Sequence, residues 1–143
     1  MNVAAILQDK GDRVHVIGPE VRLEEAARRL DELNIGALVV VDREGQVLGV
    51  LSERDITREI ARKGAAALGE TASHAMTAEV VTAGPADTLD ELMSRMTDRR
   101  IRHLPVLRDQ RLAGVISIGD VVKCQIAEAR QEADSLRSYI AAG

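Results

Sequence analysis

The sequence contains neither phenylalanine nor tryptophan, and Tyr139 is its one aromatic residue. Proteins that bind single-stranded nucleic acids generally stack the bases on aromatic side chains, so this class is disfavoured. A net charge of -4 also disfavours nucleic acids and anionic membranes as main partners. Without large rings, the core must be built from Val, Leu, Ile, Ala and Met, which suits strands packed on helices.

Cysteine and long apolar runs are also scarce. Cys124 has no second thiol to pair with, which excludes an internal disulfide and predicts a reducing, cytoplasmic environment. The longest apolar run, residues 35–41, is far shorter than the roughly 20 residues of a membrane-spanning helix. The first residues lack the basic and apolar regions of a secretion signal. We therefore expect a cytoplasmic protein that does not enter a membrane.

Signatures of catalysis are absent as well. His15, His74 and His103 lie far apart, and no His/Cys spacing matches a metal site. The sequence has no Walker A loop, no nucleophile elbow and no GxGxxG motif. We expect neither an enzyme nor a resident metal or catalytic cofactor.

What the sequence does contain is an internal duplication. Gly18 and Gly84 lie 66 positions apart, and a 65-residue offset relates Gly49 to Gly114. A period of this length, present only twice, indicates two fused copies of a small unit rather than a solenoid. Two such copies should face each other and leave an equivalent site in each.

Each copy shows the pattern of a β-α-β-β-α unit. An extended stretch precedes an amphipathic helix, and a pair of apolar strands then leads directly into a second helix. The predicted fold class is α/β, an α+β sandwich, with two pseudo-symmetric repeats and a C-terminal helix. We place repeat 1 with an N-terminal extension at 1–66, repeat 2 at 67–123 and the C-terminal helix at 124–143. The predicted strands are Val14–Ile17, Ala37–Val41, 46–51, 80–82, 104–107 and 112–117.

Local signals mark several helix ends. Thr88 and Glu91 form the pattern of a capping box at the start of the second copy's first helix. Gly64 predicts the end of the helix that precedes it, near Lys63. From Val122 onward, apolar residues follow a heptad spacing of four and three. This last helix either folds back onto the domain or pairs with a second copy of the chain.

The motif Ser-x-x-Asp is repeated at both strand-to-helix junctions, as Ser52–Asp55 and as Ser117–Asp120, the second with Gly119 inside it. It is the pattern of a capping box, which stabilises a helix by about 1 kcal/mol. The same geometry also offers a helix N-terminus to a phosphate and a carboxylate to both hydroxyls of a ribose. Both interpretations are open at this stage.

A basic run, residues 99–103, precedes the first strand of the pair in the second copy only. Such runs are commonly solvated surface, but arginines such as Arg102 at the edge of a cleft would bind phosphate oxygens in bidentate fashion. Arg54 and Arg58 are the candidates for the same role in the first copy.

The phrases RRIRHLPV and GVISIGDVVK, with the repeated Ser-x-x-Asp ending, resemble small stand-alone bacterial members of the cystathionine-β-synthase (CBS) domain family. Two copies in tandem resemble a CBS pair, or Bateman module, over about residues 14–123. The resemblance implies a pseudo-symmetric disc with two clefts between the repeats. It also implies an adenosine-containing ligand (AMP, ADP, ATP, NAD or S-adenosylmethionine) and often a homodimer.

The resemblance further implies roles for individual positions. Asp55 and Asp120 would bind ribose hydroxyls, and Ser52 and Ser117 would lie beside phosphates. The first strand, its turn and the start of the next strand would hold the adenine. These positions are Ile17, Pro19, Ala37, Leu38 and Val39 in the first copy and Thr82, Ala83, Pro85, His103, Leu104 and Pro105 in the second.

Because the basic run belongs to the second copy, we expect the site with Asp120 to bind more tightly. The leading hypothesis is a regulatory sensor that signals to a separate, unidentified protein. The main alternative is a ligand-free interaction module in which the motifs only cap helices. A nucleic-acid binder that uses residues 99–103 is the third and weakest reading.

Overall fold

The first repeat forms a three-stranded sheet in the computed structural model, which describes residues 1–11 and 14–142. Strand β1 (Val16–Ile17) runs parallel to β2 (Ala37–Val41), which pairs antiparallel with β3 (Val47–Ser52). The predicted strands therefore exist, with β1 shorter than expected. Alternation along β2 places Leu38 and Val40 in the core of this repeat.

The second repeat keeps the antiparallel pair, β4 (His103–Arg108) with β5 (Arg111–Ser117). The strand expected at residues 80–82 does not form. Ala83 alone makes a parallel bridge, to Val106, where Ile17 pairs with Val40 in the first repeat. The reason lies just upstream, because the backbone of Thr77 is hydrogen-bonded to Val50 of the first repeat. The segment between Thr77 and Ala83 must cross from one repeat to the other.

Amphipathic helices cover one face of each sheet. Helix α2 (Leu23–Leu33) and helix α5 (Leu89–Arg99) bury equivalent apolar positions in separate cores. Thr88 caps α5 by accepting a hydrogen bond from the N–H of Glu91 at 3.2 Å, but the Glu91 side chain turns to Arg95 instead. The expected capping box is thus only half formed.

The short helices that precede each repeat are exchanged between the repeats. Helix α1 (Val3–Lys10) was not anticipated, and its apolar residues belong to the core of the second repeat. Helix α4 (Ala72–Ala75) follows a 3-10 turn (Gly64–Gly69) and packs into the core of the first repeat. Each repeat is therefore completed by a segment that precedes the other.

Helix α3 (Glu53–Lys63) ends at Gly64 as expected. Helix α6 (Ile118–Ala142) begins at the second Ser-x-x-Asp motif and runs without a break through the boundary proposed at residue 123. Its heptad positions are exposed, with Ile126 at 48% and Leu136 at 59%, so α6 does not fold back onto the domain. Among the described residues, we find no helix that combines the length and the hydropathy of a membrane span.

Candidate functional site

The two Ser-x-x-Asp motifs occupy equivalent places where a strand leads into a helix. The N–H of Glu53 donates to the carbonyl of Gly36 at 3.0 Å, and the N–H of Ile118 donates to the carbonyl of Arg102 at 2.8 Å. These paired bonds hold each helix N-terminus against the start of the neighbouring strand. The duplication is therefore preserved at atomic detail around both motifs.

The first motif forms a complete capping box. The Ser52 N–H donates to Asp55 Oδ2 at 2.9 Å, and Ser52 Oγ accepts from the Asp55 N–H at 3.2 Å. The second oxygen, Asp55 Oδ1, accepts from Arg58 Nη1 at 3.2 Å. The Asp55 side chain is only 5% exposed, whereas that of Arg58 is 45% exposed. Capping is therefore its role in this structure, with one oxygen held by a guanidinium that is free to move.

The second motif is capped in the same way but has a different counterion. Asp120 Oδ2 accepts from the Ser117 N–H at 2.8 Å and from Lys10 Nζ at 2.5 Å. Lys10 also donates to the carbonyl of Val115 at 2.6 Å. Burial alone would raise the pKa of Asp120, but the bonds from Lys10 and Ser117 hold the pKa of this carboxyl below its ordinary value. A lysine from α1 thus occupies the second site.

A cavity of about 780 Å³ opens beside the first motif, and we call it the first cleft. It lies between the repeats, because one wall comes from the first repeat and the other from segments 77–81 and 99–103. Its polar lining residues are Ser52, Glu53, Arg54, Asp55, Thr57, Arg58, Thr77, Glu79, Arg99, Arg100, Arg102 and His103. Asp120 is not among the lining residues.

The basic run therefore faces the first motif. We expected it to serve the site of Asp120, but Asp120 is absent from this lining, which residues 99–103 share with the opposite repeat. The backbone of His103 pairs with Ser117 of the second motif. The imidazole of His103, however, extends to Gly36 of the first repeat. A Cβ on Gly36 would lie 3.1 Å from His103 Nε2. Burial lowers the pKa of His103, against the opposing charge of Glu53.

Of the residues predicted to hold adenine, His103 lines this cleft and the rest do not. Five of them are almost completely buried, and their backbone groups take part in the sheets: Ile17, Leu38, Val39, Ala83 and Leu104. Pro105 is also fully buried. The others are half-buried outside the cavity lining, namely Pro19, Ala37, Thr82 and Pro85. Gly119 and Ser117 lie at the second motif, and Gly119 is exposed.

Sequence reasoning missed Lys10, Glu79 and the apolar pair Val80 and Val81 as parts of the two sites. Glu79 and the two valines line the first cleft because their segment crosses between the repeats. Lys10 reaches Asp120 across 110 positions of sequence. No local signal in the chain indicates either arrangement.

Comparison with known proteins agrees with this geometry. The family model described as CBS domain matches residues 9–62 and 72–127, which are the two repeats. The chain belongs to the CBS-domain family. As a CBS pair it is similar to a CBS-domain-containing protein of Agrobacterium tumefaciens, with 48% identity and a TM-score of 0.85. That similarity covers 87% of this chain and 92% of the other.

Two further relatives are informative. A mitochondrial CBS-domain-containing protein of Arabidopsis thaliana is 39% identical over 123 residues, which are 83% of this chain and 60% of that protein. The chain thus spans less than two thirds of the length of this relative. The CBS pair of protein MJ0100 was solved in complex with 5-methylthioadenosine and S-adenosyl-L-methionine. It is 26% identical with a TM-score of 0.78, and the match covers 87% of this chain and 98% of that one.

Proposed function

We propose that this CBS pair is a regulatory module that binds an adenosine-containing ligand in the first cleft. The observation that carries the proposal is the lining of that cleft, where a helix N-terminus, a Ser-x-x-Asp cap and several arginines face one cavity. A volume of about 780 Å³ suits a small ligand. The adenosine class is supported by the relative solved with two such compounds.

Charge favours a ligand that carries phosphate. Five arginines line the first cleft against three carboxylates, and they are Arg54, Arg58, Arg99, Arg100 and Arg102 against Glu53, Asp55 and Glu79. S-adenosylmethionine carries a sulfonium, an ammonium and a carboxylate group and is therefore a net cation, so an excess of arginines disfavours it relative to an anionic nucleotide. We therefore place AMP, ADP, ATP or NAD ahead of S-adenosylmethionine for this chain.

A ribose can compete with Arg58 for one oxygen of the Asp55 carboxylate. Asp55 Oδ2 stays on the Ser52 N–H, while Oδ1 exchanges the Arg58 guanidinium for the hydroxyls of a ribose. Arg58 is then free to turn to the phosphates, which lie at the N-terminus of α3. The same carboxylate thereby serves the helix and the ligand, one oxygen for each.

The second site is the weaker one in this proposal. Lys10 neutralises Asp120 and occupies the space in front of it, so a ligand there must first displace the ammonium group. This reverses the order of affinity expected from the sequence.

The first cleft also spans both repeats, so ligand binding there favours one packing of the repeats, and a partner protein can recognise that packing. A non-enzymatic role and a cytoplasmic location stay predictions.

Thermal melting with AMP, ADP, ATP, NAD and S-adenosylmethionine tests the proposal. A ligand that binds only the folded state raises Tm in a saturable way. We expect phosphate-bearing ligands to raise Tm and Asp55→Asn to abolish the rise, since the amide keeps an oxygen for the cap but loses the charge. Asp120→Asn makes the same change at the other cap and should leave the rise intact.

A matched pair of arginine variants checks the phosphate contacts. Arg102→Ala removes a charge from the first cleft, whereas Arg111→Ala removes one from the exposed turn-proximal end of β5. Only the first should reduce the Tm rise. The absence of any saturable shift with the five ligands would overturn the proposed ligand class and leave the interaction module as the function.

We also propose that α6 joins two copies of the chain. Its seam is exposed at Val122, Ile126, Leu136 and Ile140, each between 46% and 68%, and carries the heptad spacing that makes a helix complementary to itself. A helix of 25 residues is about 37 Å long, enough for three heptads. The exposed seam is the specific observation that favours this second function.

Charges beside the seam select a parallel arrangement. With Ile126 at position a, the e positions are Lys123, Arg130 and Arg137, and Glu132 is at a g position. Antiparallel pairing would set these basic e residues against each other, whereas parallel pairing sets Glu132 against Arg137 of the second copy.

Sedimentation of the purified chain tests the dimer. We expect a dimer for the unmodified protein and a monomer for Ile126→Asp, which buries a charge in the seam. Ser135→Asp places the same charge on the opposite face of α6 and should stay dimeric. A monomeric unmodified protein at micromolar concentration would exclude this assembly.

A further inference from the structure

A second cluster of chemically active side chains lies outside the first cleft. Glu59 of α3, Glu70 at the end of the 3-10 turn and His74 of α4 each direct one ligand atom to a common point, with all three atoms within 4.8 Å of one another. None of them lines the first cleft. We propose that this cluster binds a divalent transition metal, with Zn²⁺ the best fit.

The strongest observation is an unsatisfied buried carboxylate. The Glu59 side chain is only 10% exposed, and its Oε2 atom has no hydrogen-bond partner among the described residues. Glu70 Oε2 is also buried and unpartnered within the part of the chain that the structure describes. A buried carboxylate oxygen without a donor is strongly unfavourable unless a cation compensates it. Two such oxygens beside one imidazole therefore indicate a place for a cation.

The ammonium group of Lys63 already lies among these three side chains. Its ammonium nitrogen lies 2.5 Å from Glu70 Oε1, 3.1 Å from His74 Nε2 and 3.7 Å from Glu59 Oε2. Because an ammonium group can only donate, the Nε2 lone pair of His74 must face it. All three groups are thus oriented as acceptors toward one positive charge. The Lys63 side chain is 44% exposed and its flexible stem can turn into solvent, which would leave the acceptors to a metal.

The spacing of the acceptors matches a small tetrahedral ion. His74 Nε2 lies 3.4 Å from Glu70 Oε2 and 3.9 Å from Glu59 Oε2. Ligands about 2.0–2.1 Å from a tetrahedral Zn²⁺ are separated by about 3.3–3.4 Å, so the His74–Glu70 pair already has this spacing and Glu59 must move inward to complete the site. One imidazole nitrogen with two carboxylates favours Zn²⁺ over Mg²⁺ and Ca²⁺, which prefer oxygen ligands alone. A water molecule would supply the fourth ligand.

Metal binding here would tie α3 to the linker between the repeats. His74 lies three residues before Thr77, which is hydrogen-bonded through its backbone to Val50 of β3 and also lines the first cleft. The inference does not depend on the identity of the ligand in that cleft. It assigns a stabilising metal to the outer side of the first repeat.

Titration of chelator-treated full-length protein with ZnCl2, followed by calorimetry and by Tm, tests the site. We expect one Zn²⁺ per chain and a saturable rise in Tm. Lys63→Met keeps the aliphatic stem but removes the competing ammonium group, so it should bind Zn²⁺ more tightly than the unmodified chain. MgCl2 should have no comparable effect.

Two histidine variants separate this cluster from incidental binding. His74→Ala removes a direct ligand and should weaken binding by more than the roughly 10- to 100-fold loss expected for an outer partner of a metal site. His15→Ala removes a histidine elsewhere and should bind like the unmodified chain. The proposal is overturned if Lys63→Met shows no one-to-one binding, or if binding survives His74→Ala. In that case Lys63 is the permanent counterion of Glu59 and Glu70.

Discussion

The two repeats share a backbone plan but place different charges at their equivalent sites. In the first, Asp55 is held by Arg58 of its own helix, and the cavity beside it receives the arginines of the second repeat. In the second, Asp120 is held by Lys10 from a helix that precedes the whole first repeat. Duplication therefore preserved the two caps, while the segments packed against them made one site open and the other occupied.

This difference shows that the surroundings of each Ser-x-x-Asp motif in this chain are not built by one repeat alone. Each motif lies on one repeat, but some of the groups that face it arrive from the other repeat or from an exchanged helix. Comparing equivalent residues in the two repeats is therefore the most direct experiment, because each substitution has an internal control.

The largest effects are expected from the two cores. Leu38→Ala and Leu104→Ala each remove a fully buried side chain from equivalent strands, at 1% and 0% exposure. Each should lower the free energy of unfolding by about 2–5 kcal/mol. Urea unfolding measures both values. A loss in one repeat only would mean that the two cores do not contribute equally to one cooperative unit.

The next largest effect concerns two equivalent glycines, Gly49 and Gly114, whose replacement by alanine should cost unequal amounts of stability. A Cβ on Gly49 would meet the carbonyl oxygen of Thr77 at 2.7 Å, whereas a Cβ on Gly114 would meet only the flexible side chain of Leu7, at 2.6 Å. Overpacking costs about 1–3 kcal/mol, so Gly49→Ala should lie at the upper end and Gly114→Ala at the lower end. Equal losses in urea unfolding would contradict the difference between backbone and side-chain contact.

Removing Lys10 tests the occupied site. Lys10→Met should cost only about 0–1 kcal/mol at neutral pH, because the pair is partly exposed. Since the folded pKa of Asp120 is lowered, this stabilisation is present above the ordinary aspartate pKa of about 3.9 and is lost as the pH falls through the folded value.

Unfolding free energies at neutral and acid pH reveal this difference. The unmodified chain should lose more stability on acidification than Lys10→Met does, while Arg111→Met, at an exposed position of β5, should behave like the unmodified chain. The same acid loss in both chains would show that Lys10 does not set the pKa of Asp120. Lys10→Met should also admit a nucleotide to the second site.

The smallest effect concerns His103, whose equivalent in the first repeat is Ala37. Burial lowers the pKa of His103, so the unfolded chain takes up a proton that the folded chain resists. Stability should therefore fall as the pH drops below the ordinary histidine value of about 6.5. His103→Ala should flatten this fall in unfolding experiments between neutral and mildly acid pH. An unchanged slope would show that burial of His103 does not cause this fall.

Much of the architecture was predictable because its signals are local. The strand pairs, the faces of α2 and α5 and the caps at Ser52 and Ser117 follow from alternation, helical spacing and capping chemistry. The strand at 80–82 was predicted wrongly for a reason that lies outside it. Its neighbour Thr77 is bound to the other repeat, which local spacing does not encode.

The duplicated sequence by itself determined two repeats, two capped helices, and which carboxylates and arginines are available. Only the tertiary structure decided their partners. The repeats face each other, so residues 99–103 line the cleft beside Ser52 even though His103 pairs with Ser117 in the sheet, and exchange of α1 brings Lys10 to Asp120. The physical reason is that capping acts over one helical turn, whereas ion pairs and cavities depend on packing between segments far apart in the chain.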